Sequence, residues 1–220
     1  MKSAAFNDLI AQVYTTPVQT VTVYTRLLKE AGLMTTGARG RNAPEATPLD
    51  AARLTIAMLA TDRPSQCVER VRRFGQIRFS PESKKTRLGV ETIRADDFAL
   101  TFKGETLEEV LAFLFSRVSE IGLRSSIAWF EENLFHLRIF DFDVRAELFA
   151  LDYQSGQIVG ELMVPFQGQI MTKSGDDFRP VEGFPVIKGG IRTERSISNS
   201  AFLEVGMGLV RDSGNVIGEE

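Results

Sequence analysis

Gln19, Thr22, Arg26 and Lys29 recur at intervals of three and four residues, the spacing that gathers side chains on one face of a helix. They carry what a duplex groove can answer. A glutamine amide matches adenine, a guanidinium matches guanine, a threonine methyl suits the thymine methyl, and an ammonium suits phosphate. Val23 and Glu30 fall on the same side. Such a face is useful only if the opposite one is anchored. Val21, Tyr24, Leu27, Leu28 and Ala31 supply that anchor and predict an amphipathic helix over 18–31, stopped by Gly32.

A supporting helix is expected just before it. Phe6, Leu9, Ile10 and Val13 mark a helix over 4–14, ended by Thr15-Thr16-Pro17, so two helices are joined by a tight turn. The stretch from Leu9 to Leu33 resembles the helix-turn-helix of bacterial and phage regulators. Within it, Leu27-Leu28-Lys29-Glu30-Ala31-Gly32-Leu33 looks like the end of a winged-helix recognition helix. The resemblance covers about a tenth of the chain. It implies sequence-directed binding of double-stranded DNA, with Gln19, Thr22, Arg26 and Lys29 at the recognition positions. Where a wing would follow, the chain instead has a basic loop, in which Arg39 and Arg41, set among Gly37 and Gly40, are expected to reach a phosphate or a narrow minor groove.

The charge distribution agrees with a polyanion-binding N-terminal part. Residues 1–87 hold 14 Lys/Arg and 7 Asp/Glu, a balance of +7, and the remaining 12 Lys/Arg and 22 Asp/Glu give -10, which sums to the net -3. Thr47, Pro48 and Asp50 open another helix with Leu49, Ala52, Ile56, Leu59 and Ala60 inward. A further helix over 64–74 carries Arg70, Arg72 and Arg73, of which Arg70 and Arg73 are candidates to extend the phosphate-contacting surface. The polar segment Ser80-Pro81-Glu82-Ser83-Lys84-Lys85 marks the expected boundary between a helical DNA-binding module at 1–80 and an oligomerisation or partner-sensing module at 88–220.

That second part is predicted as an antiparallel sheet with flanking helices, making the whole chain α+β. Thr106-Leu107-Glu108-Glu109 fits a capping box and starts a helix whose apolar stripe ends near Gly122. Apolar residues then alternate at Phe135, Leu137 and Ile139 and again at Val144, Ala146 and Leu148, with a phase slip at Asp141-Phe142-Asp143. Ser155-Gly156 joins the second strand to another at 158–164, a strand follows over 189–197, and a closing helix, weakened by Gly206 and Gly208, runs over 199–210.

Catalytic readings find less support. One cysteine and one histidine, Cys67 and His136, exclude an internal disulfide and a His/Cys zinc site within one chain. Asp141 and Asp143, with Glu131, Glu132 and Asp152 nearby, raise a Mg²⁺-dependent nuclease, but the broken alternation makes the aspartates turn residues. No G-x-S-x-G or phosphate-cradling glycine loop occurs. Trp129 and Phe130 read as core rather than base-stacking residues, because Glu131 and Glu132 adjoin them. The expectation is a cytoplasmic, non-enzymatic, cofactor-free regulator with no membrane segment, acting as a homodimer or higher homo-oligomer. The alternatives are a phage DNA-packaging recognition subunit of small-terminase type and a protein-interaction or inhibitor protein whose helix pair is structural.

Overall fold

Two Schellman turns set the N-terminal helix pair. A computed structural model describes residues 1–37, 43–79, 102–140, 144–154, 157–167, 171–174, 177–180 and 194–211. In it α1 spans Ser3–Val13 and α2 spans Val18–Glu30. At the end of α1 the Thr16 amide donates to the Ala11 carbonyl and the Thr15 amide to Gln12; at the end of α2, Leu33 donates to Leu28 and Gly32 to Lys29. Each pattern needs a left-handed residue, here Thr15 at φ 50° and Gly32 at φ 70°. Glycine adopts that conformation freely, whereas for Thr15 it costs roughly 1–2 kcal/mol.

The third helix is the centre of the molecule. α3, Pro48–Ala60, starts at a capping box in which the Asp50 amide donates to Thr47 Oγ1 and the Thr47 amide donates to Asp50 Oδ2. Asp50 also accepts from the Thr35 amide at 2.7 Å, so the start of α3 is tied to the segment after α2. Asp50, Ala51, Ala52, Leu54, Thr55, Ile56, Ala57, Leu59 and Ala60 are all buried, which leaves α3 covered nearly all round. After a 3-10 turn at Pro64–Gln66, α4 runs Cys67–Gly75 and β1 is the short Arg78–Phe79. α5, Leu107–Ile121, begins at the predicted capping box, where backbone amides of Glu105 and Thr106 donate to Glu109 and hold its carboxyl below the ordinary range. α6, Leu123–Glu132, starts directly from Gly122.

The fold class is α+β. β2 (Asn133–Phe140), β3 (Arg145–Gln154), β4 (Gln157–Gln167) and β7 (Glu194–Ser198) join β1 in a sheet of order β1-β4-β3-β2-β7 with every neighbour antiparallel. β5 (Met171–Ser174) and β6 (Asp177–Pro180) pair separately. Period-two alternation puts Phe135, Leu137, Ile139, Ala146 and Leu148 on the buried face, with Leu137 opposite Leu148 and Ile139 opposite Ala146. Of the helices, α3 and α6 contact the strands of this sheet, as does the last helix of the chain. α7, Asn199–Arg211, completes the chain's described part and packs on α5 and α1.

Buried residues on both sides of 80–88 belong to one cluster, which runs from Phe6, Ile10 and Leu28 through Leu54 and Ile56 to Leu111, Phe115, Leu148 and Phe202. Polar ties cross the same division. Arg53 of α3 grips Glu108 of α5 bidentately, Nε to Oε2 at 2.9 Å and Nη2 to Oε1 at 3.2 Å, while Nη1 donates to the Leu33 carbonyl at 2.9 Å. Gln76 donates to Glu108 Oε1 at 2.7 Å. Arg195 of β7 donates to the Leu59 carbonyl at 3.1 Å and meets Asp62 at 3.3 Å.

Several expectations are refined by these contacts. Helix α6 occupies a stretch for which the sequence predicts no element, because its buried residues are just Ser126 and Phe130 and no wide apolar stripe marks it. Gly206 and Gly208 are close-contact residues of α7, not merely weak points in it. A Cβ on Gly206 would stand 3.0 Å from the Phe115 backbone oxygen and 3.2 Å from Val118 Cγ2; one on Gly208 would stand 2.3 Å from Leu9 Cδ2. Since backbone yields less than a leucine tip, Gly206→Ala is expected to destabilise by about 1–3 kcal/mol despite the better helix propensity of alanine. A urea-denaturation midpoint at or above that of the parent protein would contradict the close packing of α7 on α5. The segments 80–85, 141–143 and 155–156, and residues 189–193 of the predicted last strand, lie outside the described residues.

Candidate nucleic-acid interface

The rotation of α2 about its own axis is locked from both flanks. On the inner side Val21, Tyr24, Thr25 and Leu28 are buried. The Tyr24 hydroxyl donates to the Thr61 carbonyl at 2.8 Å, and burial raises its pKa. On the other flank buried Asn7 of α1 takes a hydrogen bond from Thr25 Oγ1 at 2.9 Å and donates through Nδ2 to Thr22 Oγ1 at 3.3 Å. Thr22 in turn donates to the Val18 carbonyl at 2.8 Å. α1 is itself pinned: the Tyr14 hydroxyl meets Thr55 Oγ1 of α3 at 2.5 Å, and burial lifts the Tyr14 pKa well above the usual phenol range.

This packing leaves one face of α2 open. Gln19, Thr22, Val23, Arg26 and Glu30 are exposed, and at 100° per residue they occupy a strip about 100° wide. Arg26 and Gln19 lie along its middle, with Thr22 and Val23 at the two margins. Arg26 keeps a long contact to Glu30, 3.8 Å between Nε and Oε1, with both side chains more than half exposed. A pair of that kind is worth little and gives way readily to a better partner.

The remaining candidate residues are placed differently. Lys29 is half-buried and donates to Ser3 Oγ at 2.7 Å, which turns its ammonium toward α1 and away from the middle of the strip. Arg73 of α4 is exposed and pairs with Glu69 at 3.3 Å, and Arg70 is half-buried. Arg39 and Arg41 lie outside the described residues. Asn7 is the residue that sequence reasoning missed. Its signal was a polar side chain on the inner face of α1 beside Phe6 and Ile10, where an apolar residue would ordinarily stand.

Sites of other chemistry gain nothing from the arrangement. Trp129 has the Arg117 guanidinium 4.7 Å from its ring centroid and stacks on the Phe135 ring at 5.1 Å, so it packs within the chain as the sequence suggests. Phe130 and Cys67 are buried. Among the described residues no three His, Cys, Asp or Glu side chains converge as a metal site, and Asp141 and Asp143 are not among them. No helix among the described residues is long and apolar enough to cross a membrane. No protein-family model, curated protein or solved structure matches the chain.

Proposed function

We propose that the protein is a sequence-specific DNA-binding regulator whose α2 enters the major groove, working in the cytoplasm as a homo-oligomer that presents two or more copies of α2. The observation that carries this reading is the open strip of Gln19, Thr22, Val23 and Arg26 on a helix whose other side is held by Val21, Tyr24, Thr25 and Leu28. A rigid helix with a polar, mixed-chemistry outer face is what base-edge recognition needs. The +7 balance of residues 1–87 supplies the attraction to phosphate.

Arg26→Ala is expected to cost about 1–3 kcal/mol on the preferred duplex and little on random DNA. Arg41→Ala should weaken both duplexes and flatten the dependence of affinity on salt by about one counterion. Titrations of the full chain by fluorescence anisotropy, at several salt concentrations, separate these outcomes. Equal losses for the two variants on both duplexes would remove the assigned roles. Failure to bind any duplex at low salt would leave the helix pair a structural element, with Lys29 serving only to tie α2 to Ser3 of α1.

A further inference from the structure

Thr22 has no hydroxyl proton to offer a base. A threonine hydroxyl has one proton and two lone pairs; the proton goes to the Val18 carbonyl at 2.8 Å and a lone pair receives Asn7 Nδ2 at 3.3 Å. Asn7 cannot readily release it, because its own Oδ1 is occupied by Thr25 Oγ1 at 2.9 Å in a buried setting. With that proton held by the helix backbone, exposed Thr22 has no donor left for a base edge, and its γ-methyl is the group through which it can make apolar contact. Across the strip stands Val23, which with Ile127 is one of two large apolar side chains left exposed among the described residues.

We propose that α2 reads thymine through its 5-methyl group, by apolar contact with the Thr22 and Val23 methyls at the margins of the strip, while Gln19 and Arg26 between them make the hydrogen-bonded contacts. This rests on the DNA-binding reading above. The occupant is a DNA duplex: the basic balance of residues 1–87 complements its backbone, and the methyl pair complements the one apolar group in the major groove. Asn7 acts as a positioning residue, since its hydrogen bond fixes the Thr22 hydroxyl and with it the rotation of the side chain that carries the methyl.

The test begins with duplexes selected by the full-length protein from a random pool. Each thymine of the selected site is then replaced by deoxyuridine, which deletes the methyl and preserves every hydrogen-bonding group. At one or two positions the affinity should fall about fourfold, the worth of one buried methyl. Thr22→Ser keeps the hydroxyl and its bonds but drops the methyl, so it should abolish the difference between thymine and uracil at one position; Val23→Ala should shrink it at the other. Thr22→Val, which restores a methyl without the hydroxyl, should preserve that difference. Equal affinity for thymine and uracil duplexes, or an undiminished difference in Thr22→Ser, overturns methyl recognition while leaving DNA recognition intact. A pool from which no sequence is enriched overturns both.

Discussion

Glu108→Ala is expected to lower the stability of the folded chain by about 3–5 kcal/mol, the usual cost of deleting one partner of a buried ion pair. Glu108 is one-tenth exposed, and its two oxygens hold Arg53 and Gln76 together. Removal leaves the half-buried guanidinium with the Leu33 carbonyl alone. Replacing both partners by apolar residues, Arg53→Met with Glu108→Leu, should recover most of the loss, since the stranded charge goes with its partner. Urea denaturation followed by circular dichroism measures both. A loss below about 1 kcal/mol for Glu108→Ala would mean that water reaches the pair and screens it.

Leu28→Ala should cost a further distinct amount, about 2–5 kcal/mol, because the side chain is wholly buried and its removal opens a cavity beneath α2. Arg26→Ala, two residues earlier on the exposed strip, should change stability by less than about 0.5 kcal/mol. The pair of variants separates anchoring from recognition on a single helix. Similar stability losses for the two would show that Arg26 is held in the fold after all, and the open strip would then not be open.

What the sequence could disclose was what neighbouring residues decide. The 3.6-residue stripe of α2, the Thr47-Asp50 and Thr106-Glu109 capping boxes, and the alternation of Phe135, Leu137 and Ile139 all act within a few residues, and all reappear in the structure. The strip itself was legible because its residues share one helix face. Contacts between distant segments were not legible. Nothing local marks Arg53 as the partner of Glu108, Asn7 as the neighbour of Thr22, or Gly206 as the place where α7 meets the Phe115 carbonyl. Lys29 shows the limit of a helical wheel: its angle put it with the outer residues, and a hydrogen bond to Ser3 drew its long side chain back toward α1.

The Arg195 tie to the Leu59 carbonyl spans 136 positions of sequence, and α7 lies against α1. During synthesis, then, the first helices leave the ribosome long before the surfaces that cover them. They must wait, partly unsheltered, until translation has passed residue 211, and the loop closures involved are slow compared with those of a self-contained helical bundle.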